Sequence, residues 1–305
     1  MKHAYLIIAH TNWNQLKLLI SMIDHENNDI YIHIDAKVNS YKKKDIIDVA
    51  KKSHISIMSR YKVYWGSYRM IQVEMLLFEE ASKIHHDYYH LLSGMDLPIK
   101  SQRKIQDFFE TYKGMEFVHF DTNERLMFDR EIARRTRLFH FLQNYRRRYR
   151  FQLLNDFFTF VERVLLLIQL GLRIDRTKKY PGIKIRYGSQ WVSITEDLVK
   201  YILSQETLIK KIFQKTSCSD ELFIQTIVFN SDFKYRLFDN KYDDDNHANM
   251  RLIDMKNRGI NGNPYVWRMS DVNEIQNSDC LFARKFDSTI DKNIIKWIKI
   301  NYTGG

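Results

Sequence analysis

The first 120 residues alternate between short apolar runs and stretches whose apolar residues recur at helical spacing. Residues 4–9 read as a strand, and so do 30–35, where Ile30, Ile32 and Ile34 face one way and Tyr31, His33 and Asp35 the other. The intervening 13–24 carry a helical period. The same pattern predicts strands at 54–58, 88–92 and 116–120, and helices near 41–52, 68–84 and 105–112. An order of strand and helix in alternation implies an α/β fold, with a mostly parallel central sheet, helices on both faces and ligands at the carboxyl ends of the strands.

Beyond residue 122 the pattern turns helical. Arg146-Arg147-Arg148-Tyr149-Arg150 precedes an amphipathic stretch at 151–172. A strand at 183–194 then leads into a helix capped by Thr195, with Glu196 and Asp197 in its first turn. A helix at 221–229, strands near 235–238 and 250–253, a helix opened by Ser270 and a terminal helix at 287–300 complete the expectation.

With 305 residues and 44% hydrophobic content, the chain can bury a full core in one large domain or two small ones. Only three Pro and ten Gly are present, which argues against linkers and disorder. Cys218 and Cys280 are too few for a disulfide framework and lack metal-ligand spacing, so a reducing cytosol is the expected compartment. The apolar run at 4–9 is cut short by His10, Asn12 and Asn14, and the run at 164–172 is broken by Gln169. Neither suits a signal peptide or a membrane span, so a soluble or peripheral protein is expected.

Net charge is +11, and the segment 124–186 holds 16 Lys or Arg against 6 Asp or Glu. Nearly all the excess therefore lies in one stretch, which points to a single docking surface for an anionic partner. Tyr145, Tyr149 and Phe151 interleave with these charges as in nucleic-acid binders, but no nucleic-acid fold motif accompanies them, and no nucleic-acid partner is expected. Arg134, Arg135, Arg137 and 146–150 precede Phe157, Phe158, Val161, Val164, Leu165 and Ile168, whose spacing gives one helix an apolar face. Two readings stand: a membrane-surface helix spanning part of 125–172, or a core-facing helix with a solvated basic rim.

The densest candidate chemistry is Ser217-Cys218-Ser219-Asp220-Glu221, about thirty residues beyond Gly188-Ser189-Gln190-Trp191. On residue type alone, Ser219 and Asp220 could cap the next helix, or the acidic pair could supply a base near a sugar. Asp243-Asp244-Asp245 looks like a metal motif but sits between Asn240 and Asn246 near the carboxyl third, where a solvated loop is the better reading. No metal site is expected.

Seven motifs occur in one order: Tyr5-Leu6-Ile7-Ile8-Ala9-His10, Ile32-His33-Ile34-Asp35, Trp65-Gly66-Ser67, the run from Leu92 to Lys100, Gly188-Ser189-Gln190-Trp191, Ser219-Asp220-Glu221 and the run from Leu281 to Asp287. This series resembles the core-2/I-branching β-1,6-N-acetylglucosaminyltransferases, which share a family with the peptide O-xylosyltransferases. The resemblance spans nearly the whole chain except 123–182. It implies a GT-A-like nucleotide-sugar transferase fold with a basic helical insertion, and metal-independent, inverting transfer from a UDP-sugar. The expected division is a nucleotide-sugar-binding half at 1–122, a basic segment at 123–186 and an acceptor and catalytic half at 187–305.

By resemblance, Glu221 matches the catalytic glutamate, which would deprotonate the acceptor hydroxyl. Lys285 and Arg251 match the cations that neutralise the leaving diphosphate. Asp35 matches a carboxylate that meets the uracil and ribose, with His10, Trp65 and Ser67 lining the same pocket; Ser67 is also a natural helix N-cap. Asp96 is either structural or a ligand of sugar hydroxyls, and Gln190 and Trp191 fall on the acceptor side. Xylosyltransferase relatives carry aspartate where this chain has Gln190, which disfavours xylose transfer to protein serine. The animal enzymes are anchored, disulfide-bonded Golgi proteins; a bacterial cytoplasmic enzyme of capsule or surface polysaccharide synthesis, peripheral at the inner membrane face and acting on a glycan or lipid-linked acceptor, fits this chain better.

Overall fold

A computed structural model of the chain describes residues 1–260 and 262–303. Its centre is a five-stranded sheet in the order β3-β2-β1-β4-β6, formed by β1 (His3–Ala9), β2 (Asn28–Ile34), β3 (His54–Met58), β4 (Tyr88–Ser93) and β6 (Ser193–Thr195). The first four strands run parallel, and β6 is antiparallel to β4. A second sheet, β5-β8-β7, joins β5 (Leu97–Pro98), β8 (Phe282–Arg284) and β7 (Arg251–Ile253).

Strand β1 shows why the middle of the sheet is buried on both faces. Tyr5, Ile7 and Ala9 pack into one core, and Ala4 and Leu6 into another on the opposite face. Both faces are covered because parallel strands need crossover helices, so polar alternation is lost. On the first face lies α1 (Trp13–Ile23), which buries Leu16, Leu19, Ile20 and Ile23 at the three- and four-residue spacing of one helical stripe. α4 (Gln102–Thr111) and α12 (Lys292–Tyr302) contribute Ile105, Phe109, Ile294 and Ile298 to the same core. The short α2 (Lys43–Ile47) adds Ile46. On the other face, α3 (Arg69–Ala81), α8 (Glu196–Ser204), α9 (Glu206–Phe213) and α10 (Phe223–Phe229) supply Val73, Leu77, Leu198, Ile212 and Phe223. Each such side chain, taken fully out of water, contributes about 1.5–3 kcal/mol.

The order of strands fixes where a ligand can bind. The chain moves outward from β1 through β2 to β3, then returns to place β4 on the far side of β1. The crevice outside the carboxyl ends of β1 and β4 is the topological switch point. His10 follows β1 there, and 94–96 follow β4.

Several expected elements differ. The strand expected at 116–120 is reduced to single bridges from Glu116 to Leu237 and from Phe117 to Ser193. Of the strand expected at 183–194, only its end pairs, as β6. The strand expected at 235–238 is largely a short 3₁₀ turn, Asp232–Arg236. These segments contact side chains and loops rather than continuous partners, so alternation alone overstates them. Thr195 does cap α8, accepting from the Leu198 N–H. The helix expected at 221–229 begins as α10 only at Phe223, after a 3₁₀ turn, Ser219–Glu221. The helix attributed to Ser270 is a 3₁₀ turn, Met269–Asp271, followed by α11 (Val272–Asn277). The terminal helix starts at Lys292, capped by Asp291. In the basic segment lie α5 (Asn123–Phe128), α6 (Arg130–Arg137) and α7 (Gln152–Gly171).

Candidate active site

The seven motifs, scattered from residue 5 to residue 287, are joined by contacts, that of Trp65-Gly66-Ser67 running through Cys218 beside Ser219-Asp220-Glu221. At the switch point, Gly94 N–H donates to the Ile8 carbonyl at 2.9 Å, and Phe286 N–H donates to the Met95 carbonyl at 2.9 Å. Gln15 at the start of α1 donates its amide to the Phe286 carbonyl at 2.9 Å. The ends of β1 and β4 are thereby tied to the chain that carries Arg284 and Lys285. Arg284 forms an ion pair with Asp96 at 2.8 Å, and its guanidinium lies 4.4 Å from the ring centre of Trp191. Asp96 also accepts from the Ser93 N–H at 2.8 Å. Of the two readings of Asp96, the structural one describes these contacts: it is buried and aims Arg284, which the sequence motif contained but did not single out.

Lys285, by contrast, makes no ion pair among the described residues. Only its backbone is engaged: its N–H donates to the Tyr265 carbonyl at 3.3 Å, and its carbonyl accepts from Trp267 N–H at 3.0 Å. Burial and the neighbouring Arg284 charge hold its ammonium pKa below the usual lysine range. An anion arriving there would relieve both costs.

Arg251 differs from the expectation of a diphosphate ligand. It is 2% exposed, and its guanidinium donates to the Asn249 carbonyl and, at 2.8 Å, to the Val192 carbonyl, with the Phe282 ring 4.8 Å away. Burial pulls its pKa down to about 10. The physical reason is register: Arg251 opens β7 beside Phe282 of β8, inside the second sheet rather than at its rim.

Glu221 is held on two sides. Its carbonyl accepts from Gly188 N–H at 2.9 Å, and its carboxylate meets Arg135 of α6 at 3.1 Å. Gly188 admits no side chain, because a Cβ there would lie 2.1 Å from the His119 carbonyl oxygen. About a third of the Glu221 side chain, 33%, remains open to solvent. Protein nonetheless surrounds it, and this desolvation raises its pKa above the ordinary carboxylate range, while Arg135, Tyr187 and Arg125 oppose the rise. A base of raised pKa that is partly open is suited to taking a hydroxyl proton. Arg135 was visible in sequence only as one of many basic residues; nothing local linked it to Glu221.

Ser219 and Asp220 are buried, and α10 has no side-chain cap, so the capping reading of this pair is not realised. Burial first, and then the Glu221 charge, push the Asp220 pKa up to about 7. Cys218, in a left-handed conformation, donates its N–H to the Gly66 carbonyl at 2.9 Å. Gly66 is itself at φ +76, where glycine is favoured. This contact brings Trp65 and Ser67 beside the segment that carries Glu221. Trp65 is 59% exposed with the Arg147 guanidinium 4.3 Å from its ring. Ser67 is fully buried, and its hydroxyl makes no hydrogen bond; the residue at the mouth of α3 is Tyr68, so the expected serine cap is absent.

Gln190 donates to Glu74 at 3.3 Å, and Trp191 is nearly buried. Glu74 is wholly buried, which raises its pKa well above the usual value and favours a neutral partner for the amide. Asp35 accepts from Lys37 N–H at 2.9 Å and pairs with the Lys37 ammonium at 3.2 Å; His10 is exposed one residue past β1. The Asp243–Asp245 loop is not simply solvated: Asp244 is mostly buried and pairs with His119 at 2.9 Å and Lys256 at 2.6 Å. Among the described residues, no three His, Cys, Asp or Glu side chains gather as a metal site would require.

Comparison with known proteins gives relatives of long reach but low identity. Xylosyltransferase of Ciona intestinalis is 23% identical over 98% of this chain and 34% of its own length. Xylosyltransferase sqv-6 of Caenorhabditis briggsae is 26% identical over 93% of this chain and 34% of its own, and human xylosyltransferase 2 is 21% identical over 99% and 34%. The chain thus spans about a third of the length of the curated relatives it matches. A sequence model of the Core-2/I-Branching enzymes matches residues 3–277, which takes in Gly188, Glu221 and the ends of β1 and β4 but stops short of Arg284 and Lys285, and the chain belongs to that family of glycosyltransferases.

Proposed function

We propose that this chain transfers a sugar from a UDP-sugar to a hydroxyl of a glycan acceptor, with inversion and without a divalent metal, in the synthesis of a bacterial surface polysaccharide. The observation that carries the reading is a partly open Glu221, clamped by Gly188 and Arg135, together with a Lys285 at the switch point that makes no ion pair among the described residues. Glu221 takes the proton of the acceptor hydroxyl as its oxygen bonds to the anomeric carbon. The bond from that carbon to the diphosphate oxygen breaks, and UDP leaves with the electron pair. Lys285 offsets the charge that develops on the diphosphate. Asp35, His10 and Trp65 receive the nucleotide, and Gln190, Trp191 and the Arg284–Asp96 pair shape the sugar and acceptor side. Arg251 supports this wall from behind.

N-acetylglucosamine is the donor sugar we favour, on the resemblance to the branching N-acetylglucosaminyltransferases and the match to the Core-2/I-Branching enzymes. The names of the curated relatives favour xylose as the second reading. A panel of UDP-sugars, assayed for thermal stabilisation and for donor hydrolysis, separates the two, since a true donor stabilises the folded chain by binding. Glu221→Gln should retain UDP binding and lose turnover by roughly a hundredfold or more. Undiminished turnover in that variant would remove Glu221 from the mechanism.

A further inference from the structure

Helix α7 is turned inside out. Its buried residues are Asn155, Glu162 and Gln169, seven apart, while Leu153, Phe160 and Leu167, also seven apart, are 81%, 65% and 66% exposed. Phe157 and Ile168 widen the outward face, at 57% and 52% exposure. The polar side is specifically held. Asn155 pairs with both backbone groups of Tyr149 at 3.0 and 2.8 Å, and Gln169 does the same with Phe139 at 2.8 and 2.9 Å. Glu162 accepts from Leu142 N–H at 3.0 Å. These polar hooks fix the helix rotation, so the apolar face points outward by construction. Contiguous apolar patches of this kind mark interaction surfaces.

The charges beside the patch identify what covers it. From 138 to 174 there are six arginines, and Asp156 is the one exposed acid. Arg146, Arg147 and Arg163 converge on one cleft with Thr159, no carboxylate lines it, and the Arg146 Nε is buried without a partner. A two-fold pairing of α7 with a second copy would bring these like charges together. No helix among the described residues is long and apolar enough to cross a membrane. A wide apolar face beside a cationic rim lies instead in the plane of a lipid interface.

We propose that the outward face of α7 docks into the surface layer of an anionic bilayer, with Arg146, Arg147 and Arg163 holding lipid phosphates. The same segment reaches the candidate active site, since Arg135 meets Glu221 and Arg147 covers Trp65. Docking would therefore present a lipid-linked acceptor beside Glu221. That use rests on the proposed function, but the docking does not.

The test is co-sedimentation of the full chain, without sugar donor, with phosphatidylcholine vesicles and with vesicles also containing phosphatidylglycerol, at low and high salt. Binding should favour the anionic vesicles and weaken in salt. Phe160→Ser with Leu167→Ser, at exposed positions, should keep the thermal melt and lower partitioning by about tenfold or more. Arg146→Gln with Arg147→Gln should remove most of the preference for anionic lipid, by about tenfold or more. Failure of the wild-type chain to bind any vesicle at low salt would overturn the proposal, and so would undiminished binding by the serine variant. A concentration-dependent dimer, dissolved by the serine variant and indifferent to vesicles, would assign the face to a second copy instead. Because no donor is present, these outcomes are independent of whether the chain transfers a sugar.

Discussion

The backbone N–H of Gly188 donates to the carbonyl of Glu221 at 2.9 Å, and the space that a side chain would need at Gly188 is filled by the His119 carbonyl oxygen. The Gly-Ser-Gln-Trp motif is thus the backbone clamp of the candidate base. Gln225 reinforces the clamp from α10, donating to the Ser189 carbonyl at 2.6 Å and to the His119 carbonyl at 3.2 Å.

Gly188→Ala is expected to push these strands of chain apart. A methyl group forced into a filled site costs about 1–3 kcal/mol, read as a lower midpoint in urea unfolding. Turnover should fall further than UDP affinity, because Glu221 shifts while the switch point does not. Equal loss of both, or of neither, would show that the clamp does not position the base.

Arg135→Gln should move the acidic limb of the kcat/KM profile to higher pH. Burial already raises the Glu221 pKa, and the Arg135 charge at 3.1 Å opposes that rise. Removing the charge leaves burial opposed by Tyr187 and Arg125 without the larger Arg135 contribution, so a higher pH is needed to populate the carboxylate. Activity should recover at high pH if the role is electrostatic, and an unmoved limb would exclude it.

Lys285→Ala should weaken UDP binding and slow transfer, whereas excess chelator should leave the wild-type enzyme active. Isothermal titration with UDP and a chelator series read the two effects separately. Loss of activity with chelator and its return with manganese would reverse the assignment of the diphosphate charge to Lys285.

His33 gives a pH-dependent stability with a definite sign. It is fully buried in β2, its Nε2 accepts from Tyr61 N–H at 3.2 Å, and burial lowers its pKa to about 4. The unfolded chain binds the proton first as pH falls below the ordinary value of about 6.5, so the contribution is complete above that pH and is lost progressively down to the folded value. Between pH 7 and pH 5 the wild-type chain should lose about 2 kcal/mol relative to His33→Gln, measured by urea unfolding. Glu116 and Asp220, whose pKa values burial raises to about 7, act in the opposite direction, which is why the variant is the reference. A difference that does not change with pH would place a charged His33 in the folded chain.

The periodicity of apolar residues was enough to locate β1 to β4, α1, α3 and α4, because each is a local run whose buried stripe is set by its own spacing. It failed at 116–120 and 183–194, where extended chain meets side chains and lone bridges rather than a ladder. Strand character there depends on what lies across from it, and sequence alternation carries no record of the partner.

The candidate site divides in the same way. Short motifs contained Glu221, Gly188, Asp96 and Lys285, since each lies in a run of adjacent residues that can be read without the fold. Only the fold could show that Arg284 is aimed by Asp96, that Arg251 is buried inside the second sheet and that Arg135 reaches Glu221. Nor does the helical period of 152–171 say which way the helix faces. The sequence determined an amphipathic helix, and the hydrogen bonds of Asn155, Glu162 and Gln169 to backbone outside it decided that its apolar side points outward. Rotation about a helix axis is set by contacts with the rest of the chain, and those exist only once it has folded.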